Sequence, residues 1–340
     1  MSPELQSWLV ERLACPQHRT PLALRDETLH CASGCRYPVV HGVPILLTRA
    51  SLDFPHSVLR RTLDAVEQGT VKSLFGDGTP PPTGEIDRTV AELVGATNSN
   101  LYAHLVGALD RYPIPSVPED ALPEKAGQVI VDVGCGWGRW CLAFARRGQR
   151  AVGVDPSLRA VLAATRVARQ LGLHERAVFV VADARTLPFR DGSLDGAFSY
   201  SVLQHFPKEA TRAVLGELNR VLRHGARTHL HLLNGFGLRS LQVQLLRGFR
   251  APRDFEVRYW RPGEMLRACR SALGPSHLRV DGFFVQARPE DRPLLTSGGR
   301  RWIDLSLRLT AWARVFPPLA YVADNLFVVS SVRKVREPGN

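Results

Sequence analysis

Long apolar runs are missing from this sequence. No stretch of 18 uninterrupted apolar residues occurs, and the most apolar late stretch, 311–332, contains Arg314, two prolines and Asp324, so we expect no membrane span. The first apolar stretch contains Glu4 and Glu11 and has no basic segment before it. Because a secretory signal needs such a basic segment, we expect a cytoplasmic protein.

Lysine is also scarce, since it provides only four of the 44 basic residues, and arginine therefore carries most of the positive charge. GC-rich codons produce the same bias, so the net charge of +12 does not by itself indicate nucleic-acid binding. The arginines are nevertheless concentrated: residues 223–314 contain 17 arginines, no lysine and seven acidic residues. Guanidinium groups at this density fit phosphate, carboxylate or an anionic membrane surface.

The chain of 340 residues is long enough for about two domains with full hydrophobic cores. Proline-rich stretches at 76–84 and 112–127 are predicted connections, and residues 89–112 between them have apolar residues at roughly helical spacing. From residue 128 onward, short apolar strands alternate with helical segments, which is typical of a parallel sheet covered by helices. We therefore expect three units: a cysteine-containing unit at 1–50, a helical linker or cap at 51–127, and an α/β domain at 128–335.

Three glycines follow the first strand of the α/β domain in the stretch VIVDVGCGWGRW. The run before them is typical of a buried parallel strand, and the residues after them have helical spacing up to Gly148. Gly134, Gly136 and Gly138 are therefore predicted to lie in a strand-to-helix turn, where a ligand can approach the main chain. A dinucleotide fingerprint would require glycine where Arg139 stands, and no Gly-Lys-Ser/Thr follows that would indicate a P-loop.

The stretch DVGCGWGRW resembles the first motif of the class I S-adenosylmethionine-dependent methyltransferases. Four further stretches follow in the order of that family: AVGVDPS, FVVADARTLPF, LDGAFSYSVLQHF and ELNRVLRHGARTHLHLLN. The resemblance covers about residues 100–335. It implies a Rossmann-like α/β fold, with a mostly parallel sheet, an antiparallel last strand and helices on both faces.

The resemblance also implies where S-adenosylmethionine binds. Asp155 would accept hydrogen bonds from the ribose hydroxyls and Asp183 would contact the adenine amino group, although either aspartate could instead cap a helix. Cys135 and Cys141 are expected to be small buried side chains and not nucleophiles, because methyl transfer from a sulfonium needs no enzyme thiol. The implied cofactor-binding residues are Asp132, Gly134, Cys135, Gly136, Gly138, Asp155, Pro156, Asp183, Ala184 and Tyr200.

The methyl acceptor is expected to bind beside the fourth strand. His205 is the candidate general base, because an imidazole titrates near neutral pH; a structural role is the alternative. Residues 235–275 are predicted to be an insertion that recognises the acceptor, with aromatic packing onto the sheet as the alternative. The candidate acceptor-binding residues are Gln204, Arg239, Arg258, Tyr259, Trp260 and Arg261.

The unit at 1–50 has the ligand spacing of a structural zinc site. Cys15, His18, Cys31 and Cys35 form Cys-x2-His-x12-Cys-x3-Cys, which supplies four ligands from two knuckles. A disulfide framework is the weaker alternative in a cytoplasmic chain. With the following YPVVHGVPILL, this unit resembles the small zinc-ribbon-like activators of tRNA and release-factor methyltransferases and their stand-alone bacterial relatives.

An N-terminal zinc ribbon on a methyltransferase also resembles the rRNA guanine-N1 methyltransferases. This chain departs from them, because Cys35 stands where their last ligand is usually His and the stretch YPVVHGVPILL is not their pattern. It also has no Asn-Pro-Pro-Tyr or Asp-Pro-Pro-Tyr after the fourth strand, where SYSVLQHF stands instead. This stretch is more similar to enzymes of small molecules, lipids or glycans.

Three hypotheses follow for the function. The first is O-methylation of a small-molecule, glycan or lipid-linked acceptor, and the second is RNA base methylation in which the ribbon and the arginines bind phosphate. The third is a binding or activator protein with a vestigial donor site, which the intact Asp132, Asp155 and Asp183 disfavour. The acceptor and the oligomeric state are not specified by the sequence.

Overall fold

The computed structural model describes residues 5–53, 57–69, 86–121 and 125–334. The predicted proline-rich connection at 76–84 lies outside these residues, as does part of the one at 112–127.

One sheet of 11 strands runs through the described part of the chain, in the order β1-β2-β3-β4-β7-β6-β5-β8-β9-β11-β10. The strands are β1 (Leu22–Arg25), β2 (Thr28–Cys31), β3 (Arg36–Val40), β4 (Val43–Leu46), β5 (Val129–Val133), β6 (Arg150–Asp155), β7 (Ala177–Ala182), β8 (Leu194–Tyr200), β9 (Leu222–Leu233), β10 (Ser276–Gly282) and β11 (Asn325–Ser331).

The centre of the sheet is parallel. Within the series β4-β7-β6-β5-β8-β9 each strand pairs in parallel with the next, whereas β3 is antiparallel to β4 and β11 is antiparallel to both β9 and β10. All five residues of β5 are buried, as expected for a strand covered on both faces. The predicted Rossmann-like sheet with an antiparallel last strand is confirmed.

Helices cover both faces of this sheet. They are α1 (Ser7–Val10), α2 (Ser57–Glu67), α3 (Arg88–Gly95), α4 (Thr97–Asn100), α5 (Arg139–Arg146), α6 (Leu158–Gln170), α7 (Lys208–Val221), α8 (Leu238–Leu246), α9 (Pro262–Ala272) and α10 (Ser297–Val315). None of these helices is both long and apolar enough to cross a membrane.

The N-terminal unit is continuous with the main sheet. Strand β4 extends the parallel sheet by pairing with β7, and the amide of Ala14 donates to the carbonyl of Pro188 at 2.9 Å. Leu13 and Phe189, which are fully buried, form a further bridge between the two parts. Residues 5–50 therefore share backbone hydrogen bonds and a core with the α/β domain.

The stretch 89–112 is less helical than its spacing predicts. Helix α3 ends at Gly95, α4 is a single turn, and Ala103–Leu105 is a short 3-10 helix. A Cβ atom at Gly95 would overlap the Val106 side chain. The chain therefore folds back over Gly95, which breaks the expected long helix.

Candidate functional site

A cavity of about 920 Å³ lies at the carboxyl edge of the parallel strands. This is the edge at which open α/β sheets bind ligands. Its wall includes six of the ten predicted cofactor-binding residues, namely Gly134, Asp155, Pro156, Asp183, Ala184 and Tyr200, and also Gln204 and His205.

The glycine turn closes one side of this cavity. Gly134 and Gly138 have φ angles of 76° and 83°, in the left-handed region that favours glycine. A Cβ atom at Gly134 would overlap the side chain of Val202, and one at Gly138 would lie 2.7 Å from the Phe179 ring. Both positions therefore require glycine for conformation and for space.

Asp155 lies at the end of β6 with its carboxylate on the cavity wall. Its two oxygens accept hydrogen bonds from the amides of Gly136 at 3.0 Å and Ser157 at 2.9 Å. Burial raises the pKa of this carboxyl, while the two amides oppose the rise. Because each carboxylate oxygen can accept more than one hydrogen bond, the fixed carboxylate retains acceptor capacity for a ligand.

Asp132 is not among the residues that form the cavity wall, and its contact with the cofactor stays a prediction. Its side chain is almost fully buried between β5 and α5, where the Cys141 thiol donates to it at 3.6 Å. Burial and the neighbouring Asp155 raise its pKa to about 7. Three other predicted cofactor-binding residues also lie outside the wall, namely Cys135, Gly136 and Gly138. Cys135 packs against Gly153, and the two glycines form the turn. Cys135 and Cys141 are buried, as expected.

The carboxylate of Asp183 is held by Arg185. The guanidinium donates to it at 2.6 Å and 3.0 Å, and the Arg185 amide donates at 2.9 Å. Asp183 thus caps the 3-10 helix Ala184–Thr186, which was the alternative interpretation of this residue. Its position on the wall is compatible with a ligand contact in addition to this cap.

His205 lies at the other end of the cavity. Its Nδ1 atom is 2.7 Å from the carbonyl oxygen of Phe255, and its ring stacks on the Phe255 ring at 3.9 Å. A carbonyl only accepts, so the neutral imidazole carries its proton on Nδ1 and its lone pair on Nε2. Gln204 beside it accepts a hydrogen bond from the amide of Leu233, which fixes the loop after β8.

A buried polar network that the sequence analysis missed lies next to His205. Ser201 lines the cavity, and its Oγ atom lies 2.9 Å from Nδ1 of His231 and 2.8 Å from Nε2 of Gln286. Nε2 of His231 lies 3.5 Å from Oδ2 of Asp281. The same oxygen accepts a hydrogen bond from the Tyr200 hydroxyl at 2.9 Å. One sequence pattern could have indicated part of this network, namely the alternation in THLHLL, which places His229 and His231 on one face of β9.

Burial and neighbouring charges together set the protonation states of this network. His231 is fully buried, and burial lowers its pKa to about 4. Although burial alone would raise the pKa of Asp281, the adjacent Arg288 guanidinium and His231 lower it. The network therefore holds a neutral imidazole beside an ionised carboxylate at neutral pH.

The insertion at 235–275 does not place its predicted residues on the cavity wall. Trp260 is fully buried in the core beneath Lys208, so the alternative of core packing is correct for this residue. The Arg258 guanidinium donates to the carbonyls of His205, Asp254 and Glu256, which commits it to the backbone.

The other three candidates of the insertion also lie away from the wall. Tyr259 packs under Arg247, Arg261 lies over the Phe236 ring, and Arg239 is exposed. The wall instead receives Asp254, Phe255 and Val257 from this insertion. These three positions carried no recognisable motif.

The comparisons with known proteins agree with this architecture. Residues 130–225 match the family described as a methyltransferase domain. The chain carries a methyltransferase domain. Over 107 residues it is 36% identical to 24-methylenesterol C-methyltransferase 2 of Oryza sativa subsp. japonica, covering 31% of this chain and 29% of that protein. Over 109 residues it is 35% identical to methyltransferase GfsG of Streptomyces halstedii, covering 32% and 38%.

Similarity to solved structures extends over more of the chain. The complex of the Haloferax volcanii Trm112 methyltransferase activator with a methyltransferase matches with a TM-score of 0.45 and 20% identity, covering 64% of this chain and 87% of that chain. The sequence relatives are matched over about a third of their length.

The N-terminal cysteines converge beside this methyltransferase domain. Nδ1 of His18 lies 3.7, 3.5 and 3.4 Å from the sulfurs of Cys15, Cys31 and Cys35, and all four ligand atoms lie within 4.8 Å of one another. The hydroxyls of Tyr37 and Thr20 each lie 3.1 Å from a cysteine sulfur of this set. The structure thus brings together all four residues that the sequence predicted.

The buried imidazole of His231 makes the stability of the domain depend on pH. Its pKa is about 4 in the folded chain and about 6.5 in an unfolded chain, so the unfolded state binds more protons between these values. We expect the free energy of unfolding to fall as the pH is lowered, with His231 contributing about 2 kcal/mol of the loss between pH 7 and pH 5.

Urea unfolding of the His231→Gln variant at both pH values measures this contribution. The variant should lose less stability than the unmodified chain on acidification. His174→Gln, a substitution of an exposed histidine, is the matched control and should leave the loss unchanged. An equal loss in all three proteins would show that His231 does not resist protonation.

Proposed function

We propose that the protein transfers a methyl group from S-adenosylmethionine to an oxygen of a small-molecule, glycan or lipid-linked acceptor. The proposal is carried by one observation: a single cavity joins the glycine turn and Asp155 at one end to His205 and Ser201 at the other. The donor and the acceptor could thus meet in one cavity, where positioning of the two groups would supply most of the rate.

S-adenosylmethionine would supply an already activated methyl group. Asp155 would accept hydrogen bonds from the ribose hydroxyls, and the turn at Gly134 would let the methionine part approach the backbone. Asp183 and Ala184 would border the adenine, with the Asp183 carboxylate held in place by Arg185. These roles use the acceptor capacity that the structure leaves at this end of the cavity.

At the acceptor end we assign the general base to His205. Its Nε2 lone pair is fixed by the contact of Nδ1 with the Phe255 carbonyl, and a neutral imidazole suits proton removal near neutral pH. Ser201 would position the acceptor hydroxyl, because its own hydrogen bonds to His231 and Gln286 fix the direction of its oxygen.

We further propose that Cys15, His18, Cys31 and Cys35 bind a structural zinc ion. For a tetrahedral site with Zn–S of about 2.3 Å and Zn–N of about 2.0 Å, the S···N separation is about 3.5 Å. The three observed separations of 3.4 to 3.7 Å fit this value. Amides of His18 and Ser33 point at two of the sulfurs, as thiolate ligands require.

Methyl transfer can be tested with S-adenosylmethionine carrying a labelled methyl group and fractionated extract of the source organism. We expect label in the small-molecule, glycan or lipid pool. Asp155→Asn should weaken donor binding at least about tenfold through the altered hydrogen bonds, whereas the exposed Asp110→Ala should bind the donor normally in calorimetry.

Other outcomes of this assay would contradict the proposal. Label in RNA would identify an RNA methyltransferase and overturn the choice of acceptor. If the unmodified chain binds no donor, the protein acts as a binding or activator protein instead.

The base is tested with the fraction that accepts label. His205→Gln should lower kcat by about 100-fold or more and remove the acidic limb of its pH profile, with unchanged donor affinity. Ser201→Ala should mainly raise KM for the acceptor. If Ser201→Ala removes the acidic limb and His205→Gln does not, the proton passes through Ser201 to His231.

Zinc is tested by metal analysis and thermal unfolding. The purified chain should contain zinc, and a strong chelator should lower its Tm by at least about 5 °C, since metal binding contributes to folding. Cys31→Ser should lose the metal, whereas Cys269→Ser, a buried cysteine outside the cluster, should retain it. Retention of zinc by Cys31→Ser would contradict this site.

A further inference from the structure

Large exposed hydrophobic side chains are concentrated in one region of the chain. In the described residues, all of them except Leu24 and Val106 lie between residues 236 and 322. Several are far more exposed than ordinary surface residues: Leu246 is 81% exposed, Val315 87% and Trp312 70%. Clustered exposure of this kind marks an interaction surface.

Helix α10 presents a continuous part of this surface. Its buried side chains are Ile303, Ser306 and Ala313, which form a narrow stripe against the sheet. Leu305, Arg308, Trp312 and Val315 recur at spacings of three and four residues and therefore lie together on the outward side. This side combines apolar, aromatic and arginine side chains.

Helix α8 presents a second part. Only Ser240 of this helix is buried, while Leu238, Leu241 and Leu245 lie on one exposed side at helical spacing. Among the described residues, no element covers these leucines.

The two helices are tied to one region of the fold. The carboxylate of Asp324 accepts hydrogen bonds from the amides of Arg239 and Ser240 at the start of α8. Asn234, just before α8, donates to the carbonyl of Tyr321 in the short helix that follows α10. We give the name apolar arginine face to exposed residues of α8, of α10 and of the segments that follow them; it comprises Leu238, Leu241, Leu245, Leu246, Phe249, Arg301, Trp302, Leu305, Arg308, Trp312, Val315, Phe316 and Tyr321.

The charge around this face favours one kind of partner. Residues 236–322 contain 15 arginines and no lysine against seven acidic residues; Arg258 and Arg288 are held by the interior, whereas Arg301 and Arg308 are exposed on α10. An RNA would satisfy the arginines and could stack bases on the tryptophans, but it would offer no hydrocarbon to the aliphatic side chains of Leu246 and Val315. A second copy of the chain would bring like-charged arginines together across a twofold axis, which opposes association. A bilayer surface offers lipid phosphates to the arginines and a hydrocarbon boundary to tryptophan and leucine.

We propose that the apolar arginine face binds the surface of a bilayer that contains anionic lipid. The chain would lie on the bilayer without crossing it. This binding does not depend on methyl transfer.

The apolar arginine face is connected to the cavity by a short segment of the chain. Residues 247–254 connect α8 to Phe255, which is 56% exposed, lines the cavity and stacks on His205. A bound bilayer would thus lie near the acceptor end. The further step, that the acceptor is a lipid, rests on the proposed function.

Vesicle co-sedimentation of the full chain without S-adenosylmethionine tests the binding alone. The vesicles are phosphatidylcholine alone, or equal parts of phosphatidylcholine and phosphatidylglycerol. We expect preferential binding to the anionic vesicles that weakens as salt is added. Arg301→Glu with Arg308→Glu should lower the partition coefficient at least about 30-fold, because each arginine near the surface contributes.

Matched variants separate this face from net charge and general hydrophobicity. Arg146→Glu with Arg147→Glu makes the same charge change on exposed residues of another region and should have a much smaller effect. Leu305→Ser with Trp312→Ser should lower partitioning about tenfold or more, whereas Leu24→Ser, a substitution of an exposed leucine on β1, should not. Thermal unfolding confirms that each variant is folded.

Three results would overturn the proposal. The first is no binding to anionic vesicles, or equal losses in the test and control variants. The second is self-association in analytical ultracentrifugation that Trp312→Ser abolishes, which would make the face an interface between copies. The third is tighter binding to RNA than to anionic vesicles that is insensitive to Leu305→Ser with Trp312→Ser. Because donor binding is measured separately, failure here leaves the proposed methyl transfer unaffected.

Discussion

The parallel pairing of β7, β6, β5 and β8 is the constraint on which the candidate site depends. Parallel strands in register end at one edge of the sheet, so the residues that follow them are brought to one cavity although they are distant in the chain. Gly134, Asp155, Asp183 and Ser201 each follow or end one of these strands. The left-handed backbone at Gly134 and the small volume of this residue then allow the turn after β5 to close the cavity wall.

The same sheet continues into the N-terminal unit. Backbone hydrogen bonds between β4 and β7 cover an edge that would otherwise expose unpaired amides and carbonyls. A side-chain link accompanies them, because Arg185 holds both the Asp183 carboxylate and the carbonyl of Ser51. The cysteine-containing unit is thereby connected to the wall of the cavity through neighbouring strands of one sheet and through Arg185.

The polar residues around Ser201 differ in their electrostatics from the glycine turn. Ser201 is connected to a buried set of charges, in which Arg288 and Asp281 balance each other around a neutral His231. Groups of this kind are stable in the interior only when each charge is paired. The outward sides of α8 and α10 differ again, because their side chains are exposed hydrophobic residues and arginines.

The sequence by itself determined the features that depend on local patterns: the alternation of strands and helices, the glycine turn, the aspartates at the ends of β6 and β7, and the spacing of Cys15 to Cys35. Only the tertiary structure decided which residues meet across long separations. Ser201, His231 and Asp281 are 30 and 50 residues apart, and no local motif indicates their contact. Trp260 is similar, since an aromatic residue in an insertion can line a pocket or fill the core. Its burial depends on how α9 packs on the sheet, and that packing is a property of the whole fold.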